Sequence, residues 1–196
     1  ITSWDDLRSR LAPDDRRCFA FFHPSMEDEP LIFVEVALTS EIPGRINAVL
    51  EADRMMLDPT DASCAIFYSI SNCQKGLAGI SFGNFLIKQV AQSLQSEYPN
   101  LRNFLTLSPL PYFSTWLEKV EPHTFSNFAL IDWSEASEQN EKELIEAAGR
   151  YFLDSTRKDK QPNDPVARFH LGNGALLDRI NPCLLYTSPS PRDSRR

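Results

Sequence analysis

Residues 63–111 hold the pattern that most restricts the fold of this chain. An apolar run over 64–71 is rich in β-branched and aromatic residues and is too short for a typical helix, so it predicts a strand. After a glycine-rich segment over 74–83, apolar residues recur at every fourth position and predict an amphipathic helix, which Pro99 ends. A second strand is expected over 101–108. This order of strand, glycine turn, helix and strand predicts an α/β fold with a mixed sheet.

The glycine-rich segment itself supports two interpretations. Its glycines, Gly76, Gly79 and Gly83, match neither the dinucleotide-binding fingerprint nor a P-loop. One interpretation is a turn followed by close packing of the helix on the strand. The other is a cradle for the pyrophosphate of a nucleotide-tailed molecule, because a helix N-terminus offers free backbone N–H groups and a partial positive charge. The spacing alone leaves both open.

Composition and charge limit the class of protein. A chain of 196 residues that is 42% hydrophobic is long enough for one sizeable core. The formal net charge of −7 argues against nucleic acid or an anionic membrane as the main partner. No apolar run reaches membrane-spanning length, and the first residues lack the basic and apolar segments of a signal peptide. We therefore expect a protein that binds neither nucleic acid nor a membrane.

The four cysteines show no spacing typical of a zinc site. Cys18 and Cys64 lie in apolar, strand-like runs, so we expect buried, reduced thiols of an intracellular protein. Cys73 lies near the glycine-rich segment, where a reactive thiol is the alternative interpretation. The cysteines therefore predict neither a disulfide framework nor a metal site.

Further secondary structure is expected on both sides of this pattern. The predicted elements are two strands over 17–23 and 31–38 that form a hairpin with a loop between them, helices over 42–52 and 140–154, a linker over 156–163, a short helix that Asp164 caps, a turn at 172–174, and a strand over 175–180.

Two residues stand out as candidates for chemistry. Ser108 ends the second strand of the opening pattern, and ligands gather at the carboxyl ends of strands in α/β folds. No G-x-S-x-G motif surrounds it, which disfavours a hydrolase nucleophile. His170 lies beside apolar residues and just before a Gly-Asn-Gly turn, where a buried and satisfied histidine is the structural alternative. His23 and His123 are expected to be structural or exposed.

Seven segments, in order along the chain, resemble the malonyl-CoA decarboxylase family. They include Gln74-x-Gly-Leu-x-Gly, Leu107-Ser-Pro-x-Pro and Asn163-x-Pro-Val-Ala-x-Phe-His-Leu-x-Asn-Gly-Ala. The other four cover residues 17–24, 31–39, 65–71 and 85–88. The resemblance therefore extends over nearly all of the chain before Pro182.

This resemblance implies an acyl-CoA-binding catalytic domain of the Gcn5-related N-acetyltransferase type over 1–181, truncated at both ends, with 182–196 as a foreign or disordered tail. In that fold a mixed sheet splays between two neighbouring strands to admit the pantetheine arm. The catalytic serine and histidine of the family fall on Ser108 and His170. The malonyl-CoA-binding segment falls on Ala78, Gly79, Ile80, Ser81, Phe82, Gly83 and Asn84.

The implied activity is decarboxylation of malonyl-CoA to acetyl-CoA and CO2 through an enolate that His170 protonates. It needs no metal, prosthetic group or cofactor beyond the CoA of the substrate. The resemblance also implies a homo-oligomer of the full-length protein, located in the cytoplasm, or in mitochondria or peroxisomes of a eukaryote. Because the family's helical N-terminal domain and closing strands are not in this sequence, the chain by itself is expected to bind CoA weakly or to be inactive. The alternatives are a CoA-dependent N-acyltransferase and a non-catalytic acyl-CoA-binding module.

Overall fold

The structure, a computed structural model, contains two compact units. They comprise residues 1–107 and 108–196. Each unit has a hydrophobic core of its own. The residues that the structure describes are 8, 10–51, 54–77, 83–133 and 135–182. Within these residues no helix is long and apolar enough to cross a membrane.

Among the residues that the structure describes, the first unit is built on a four-stranded mixed sheet. Its strands, in spatial as well as chain order, are β1 (Arg16–His23), β2 (Met26–Thr39), β3 (Cys64–Asn72) and β4 (Asn103–Thr106). The first three strands pair antiparallel, whereas β3 and β4 pair parallel. Parallel neighbours require a crossover, which helix α2 (Gly83–Glu97) supplies. The mixed-sheet α/β class is therefore as expected.

The predicted hairpin of β1 and β2 is confirmed, but the predicted loop over 24–30 is wrong. Strand β2 already begins at Met26, which pairs with His23. The acidic residues between Met26 and Pro30 are exposed, so their charges remain solvated while the backbone stays extended. Pro30 faces Phe22 beside a register shift, where the pairing is irregular and a residue without an N–H is tolerated.

The parallel pairing of β3 and β4 is short. It runs from Cys64 opposite Asn103 to Phe67 opposite Thr106, and β3 then continues to Asn72. The predicted strand over 101–108 is thus too long at both ends. Leu107 still donates its N–H to the carbonyl oxygen of Phe67 at 3.1 Å, but the ladder does not continue through the following Ser-Pro pair.

The core of the first unit lies between one face of the sheet and α2. The apolar stripe predicted for this helix is confirmed, since Leu86, Val90 and Leu94 are all buried. They pack against alternate residues of β2 and β3, among them Val36 and Phe67. This arrangement fixes α2, and with it the start of the helix, on the sheet.

The opposite face of the sheet carries a smaller cluster and helix α1 (Ile46–Leu50). Val49 of α1 packs there with Ala37 and Ile66. The predicted helix over 42–52 is wrong at its start, because Pro43 restricts the backbone of the residue before it. Residues 52 and 53, at its predicted end, lie outside the described residues.

The regular secondary structure described in the second unit is helical. Its helices are α3 (Phe113–Val120), α4 (Pro122–Ala129), α5 (Glu138–Asp154) and α6 (Pro165–Gly172). Their core contains aromatic side chains from three of these helices, including Phe113, Phe128 and Tyr151. Helix α5 begins two residues earlier than predicted, because Ser137 caps it in a capping box with Asn140. Helices α3 and α4 were not predicted.

The end of the described chain differs from expectation. The predicted strand over 175–180 is wrong, since these residues have no regular secondary structure. Ile180 instead packs against the core of the second unit, while Leu176 is 91% exposed. The predicted linker over 156–163 includes an isolated bridge between Thr156 and Pro162. The tail boundary at 182 stays a prediction, because residues 183–196 lie outside the described residues.

The cysteines of the first unit divide between interior and surface. Cys64 is buried as expected, but Cys18 is exposed, and its predicted burial is wrong. Cys18 lies on β1, the edge strand of the sheet, and points opposite to its half-buried neighbour Phe19. Cys73 is exposed as well. An apolar run in the sequence therefore identified a strand without showing which face is covered.

Truncating the α2 core should destabilise the protein. Leu94 is fully buried, so Leu94→Ala is expected to lower the free energy of unfolding by about 2–5 kcal/mol, through lost burial and a cavity. Lys88 lies on the exposed side of the same helix, and Lys88→Ala should change stability by less than about 0.5 kcal/mol. Urea unfolding followed by circular dichroism measures both. Equal effects of the two substitutions would contradict this packing.

Candidate functional site

The structure brings the two predicted site residues of the second unit together. The Ser108 Oγ lies 3.0 Å from the His170 Nε2, across 62 positions of sequence. Ser108 is exposed, and His170 is half-buried. A hydrogen bond joins a hydroxyl to an imidazole at this distance, and either atom can donate, depending on the histidine tautomer. The contact therefore offers a proton path between the two side chains at a surface that a ligand can reach.

Helix α6 positions His170 through its two ends. At its start, Asp164 Oδ1 accepts from the N–H groups of Val166 and Ala167 at 2.9 and 3.0 Å, and proline occupies the first helical position. This confirms the predicted cap. At its other end, the side chain of Asn173 donates to the carbonyl oxygen of Phe169 at 2.7 Å. His170 thus lies in the last turn of a short helix that has side-chain hydrogen bonds at both ends.

The predicted turn over 172–174 is confirmed for Asn173 and Gly174, whereas Gly172 still belongs to α6. Gly174 has a φ of 87°, in the left-handed region that glycine enters without strain. Its N–H donates to the carbonyl oxygen of Leu171 at 3.1 Å, and Ala175 donates to that of His170 at the same distance. The turn therefore satisfies the carbonyl groups that the end of the helix would leave unpaired.

Prolines stiffen the segment that carries Ser108. Pro109 and Pro111 fix two backbone φ angles between Ser108 and the start of α3. The N–H of Phe113 donates to the carbonyl oxygen of Leu110 at 3.1 Å, which closes a turn at the helix start. The N–H of Tyr112 donates to Asp164 Oδ2 at 3.4 Å. The serine therefore belongs to a short, restrained connection.

Burial sets the protonation of His170. Desolvation lowers the pKa of its imidazole from the usual value of 6.5. The ring of Phe169 meets it edge to face at a centroid distance of 5.0 Å and contributes to its apolar surroundings. At neutral pH the unliganded site therefore holds a neutral imidazole beside a neutral hydroxyl.

A buried carboxylate behind the pair was recognised from sequence only as a helix cap. Asp164 is 1% exposed, and its Oδ2 also accepts from the hydroxyl of Tyr151 at 3.2 Å. Burial, and then the negative charge of Asp164, raise the pKa of Tyr151, so this hydroxyl keeps its proton and donates. No local motif announces this contact, because Tyr151 lies on α5, 13 positions away.

The predicted malonyl-CoA-binding segment is described only in part. Ala78, Gly79, Ile80, Ser81 and Phe82 lie outside the described residues. Gly83 and Asn84 belong to α2, whose described residues begin there. A short 3-10 turn over Lys75–Leu77 lies just before the predicted segment along the chain. The first described residues of α2 are therefore also the last two residues of the predicted binding segment.

The other histidines take the positions expected of them. His23 is exposed at the end of β1, and its Nδ1 accepts from the N–H of Ser25 at 3.1 Å. His123 is exposed on α4. Among the described residues, no group of three or more His, Cys, Asp or Glu side chains is arranged to hold a metal ion.

One buried hydroxyl of the first unit has no hydrogen-bond partner among the described residues. Tyr68 lies on β3 immediately after the residue at which pairing with β4 ends. Within the described part of the chain, its hydroxyl is the buried side-chain N or O atom that lacks a hydrogen bond. Burial, and then the charge of Glu35, raise the pKa of Tyr68 to about 12. It is therefore a protonated donor at neutral pH.

A family model and the sequences of known proteins that match this chain all point to the same family. The family model "Malonyl-CoA decarboxylase C-terminal domain" matches residues 1–192, which extends into the segment predicted as a tail. The mitochondrial malonyl-CoA decarboxylase of Anser anser anser is 35% identical over 216 residues, covering 92% of this chain and 42% of that protein. The rat enzyme is 32% identical over 220 residues, with coverages of 92% and 44%.

Solved structures agree with the sequence matches. A malonyl-CoA decarboxylase from Rhodopseudomonas palustris superposes with a TM-score of 0.80 at 46% identity, covering 100% of this chain and 48% of that one. The corresponding protein from Agrobacterium vitis gives a TM-score of 0.78 at 47% identity, with coverages of 92% and 48%. The likeness confirms the predicted fold. The chain spans somewhat less than half the length of these relatives.

The lowered pKa of His170 predicts how stability depends on pH. In the unfolded chain this imidazole takes up a proton near pH 6.5, but in the folded protein only at lower pH. Between those two values the unfolded state binds more protons, so the free energy of unfolding falls as pH drops through that window. His170→Gln should remove this part of the pH dependence, whereas His123→Gln should retain it. Urea unfolding across pH and an NMR titration of the ring measure both quantities; a His170 pKa above 6.5 contradicts the prediction.

Proposed function

This chain belongs to the malonyl-CoA decarboxylase family, and we propose that the protein containing it decarboxylates malonyl-CoA to acetyl-CoA and CO2. The observation that carries the proposal is the 3.0 Å contact between Ser108 Oγ and His170 Nε2. These are the two positions on which the catalytic serine and histidine implied by the resemblance fall. A chance pairing of both residues, 62 positions apart, is a poor explanation of that agreement.

The reaction assigns a task to each side chain. When CO2 leaves, the electron pair of the broken C–C bond moves into the thioester and forms an enolate, whose oxygen gains negative charge. A preorganised donor aimed at such an oxygen is worth about 2.7–4 kcal/mol in the transition state. His170 donates the proton that the α-carbon then takes up, and Ser108 binds the substrate carboxylate or relays a proton.

The proposed reaction requires no metal or prosthetic group. The thioester carbonyl of the substrate accepts the electron pair itself, so the CoA ester supplies the stabilisation that another enzyme would take from a cofactor. Residues 78–84 are proposed to hold the pyrophosphate of CoA, supported by the backbone N–H groups at the start of α2. The protein then contributes binding, a proton donor and an oxyanion donor.

Partner and location follow from the same proposal. The small-molecule partner is malonyl-CoA, and assembly of the full-length protein into a homo-oligomer stays a prediction. The two relatives compared above are named as mitochondrial proteins. We propose mitochondria or peroxisomes for a eukaryotic source and the cytoplasm otherwise.

The activity can be measured directly. The full-length protein that contains these residues is incubated with malonyl-CoA labelled in its free carboxylate, and labelled CO2 is counted alongside acetyl-CoA. His170→Ala and Ser108→Ala should each lower kcat by about 10²–10⁴-fold, the usual contribution of a positioned acid or base. Binding of CoA should change little in comparison, because neither side chain is proposed to hold the pyrophosphate.

His123→Ala is the matched control, since it removes an exposed histidine from another helix of the same unit. It should leave turnover unchanged. Wild-type turnover in His170→Ala would refute the assignment of the proton donor. Release of CoA thiol to an added amine, without labelled CO2, would indicate an acyltransferase, and tight CoA binding without either product would indicate a binding module.

A separate prediction concerns the binding segment. Gly79→Val adds a β-branched side chain where the backbone is proposed to approach a pyrophosphate, so it should raise KM with little change in kcat. Gly149→Ala is the control, because a Cβ at Gly149 meets no atom within 4 Å. Steady-state kinetics with malonyl-CoA measure both. An unchanged KM in Gly79→Val would place the pyrophosphate elsewhere.

A further inference from the structure

We propose that Asp164 is the residue that positions the Ser108–His170 pair, an inference that rests on the proposed function. Its two carboxylate oxygens have different partners. Among the described residues, Oδ1 accepts from the first turn of α6, the helix that carries His170. Oδ2 accepts from the N–H of Tyr112, at the end of the segment that carries Ser108. A single buried side chain therefore binds both the helix that carries His170 and the segment that carries Ser108.

The segment between Ser108 and Tyr112 transmits this restraint. It is four peptide bonds long and contains Pro109 and Pro111, so two of its φ angles are fixed. Helix α3 begins directly afterwards, at Phe113, whose aromatic ring packs in the core of the second unit. Holding the N–H of Tyr112 in place therefore restricts where the Ser108 hydroxyl can be.

The other side of the carboxylate is equally restrained. Asp164 is 1% exposed, and the Tyr151 hydroxyl of α5 donates to its Oδ2 at 3.2 Å. The residue before it, Asn163, donates its backbone N–H to the carbonyl oxygen of Ser155, just after α5. The carboxylate is thus anchored to the longest helix of the unit while it contacts the two segments that carry the pair. Its rotamer is set by four donors from three places in the chain.

The division between the two oxygens makes the role testable with one substitution. In Asp164→Asn the amide oxygen still caps α6, because asparagine caps helices about as well as aspartate. The amide NH2 then faces the N–H of Tyr112, and two donors cannot bond to each other. The helix therefore remains while its connection to the Ser108 segment is lost.

The experiment measures the effect of Asp164→Asn on the kinetics of the full-length protein, once in the wild type and once in the Ser108→Ala variant. Asp164→Asn should lower kcat by about 10- to 100-fold, the cost of a displacement of about 1 Å, and leave KM within about threefold. The loss should disappear when Ser108 is already alanine, since residues that act as a unit are not additive. An unchanged kcat, or an equal loss in the Ser108→Ala background, would overturn the inference.

Two further variants complete the design. Asp58→Asn is the matched control: Asp58 caps the turn Pro59–Asp61 and also precedes a proline, but it is exposed and lies in the first unit. It should leave kcat unchanged. Tyr151→Phe keeps the aromatic ring and removes one donor to Oδ2, so it should lower kcat by about two- to tenfold. If Asp164→Asn does not unfold cooperatively and Tyr151→Phe is fully active, Asp164 is a structural cap and the inference fails.

A spectroscopic measurement separates this inference from the proposed function. The 15N shifts of the His170 ring report its hydrogen bond to Ser108 without any assay of turnover. Asp164→Asn should shift the Nε2 signal toward that of Ser108→Ala, while Asp58→Asn should not. If the wild-type protein releases no CO2 but these shifts are seen, the proposed function fails and the positioning role stands. If the wild type is active and the shifts are absent, the positioning role fails.

Discussion

The parallel pairing of β3 and β4 is the constraint from which the first unit follows. Parallel neighbours cannot be joined by a tight turn, so the chain must cross over the sheet between Asn72 and Asn103. Helix α2 makes that crossing and buries its apolar stripe on the sheet. Helix α2 follows the carboxyl end of β3 along the chain, as the helix of a parallel crossover does. A crossover therefore supplies a core and a helix N-terminus from a single topological requirement.

The second unit depends on one buried carboxylate in a comparable way. Asp164 would be costly to bury without partners, and both of its oxygens are hydrogen-bonded. Its donors come from three places in the chain: the start of α6, Tyr112 before α3, and Tyr151 of α5. The cost of burying the charge is thereby offset by contacts that also fix the loop and helix of the candidate site.

How much of this could be predicted from the sequence depended on the range of each interaction. The α2 stripe and the cap by Asp164 are local patterns, and both were predicted correctly. Helices α3 and α4 were missed because helices of eight residues are marginal alone and form here through aromatic packing of Phe113 and Phe128. The contact of Tyr151 with Asp164 was also missed. It depends on tertiary packing, and no spacing rule connects a residue of α5 to the cap of the next helix.

The lowered pKa of His170 conflicts with its proposed role as a proton donor, and the charge of the proposed substrate removes the conflict. Burial lowers the pKa of its imidazole, which makes the imidazolium a stronger acid but leaves it scarce at neutral pH. The substrate brings a carboxylate, and a nearby negative charge raises the pKa of a histidine. In the proposed reaction, substrate binding therefore favours the protonated imidazole that donates to the α-carbon. When CO2 departs, the negative charge moves to the enolate, and the proton can follow it to the α-carbon. The hydrogen bond to Ser108 keeps the imidazole oriented through this change.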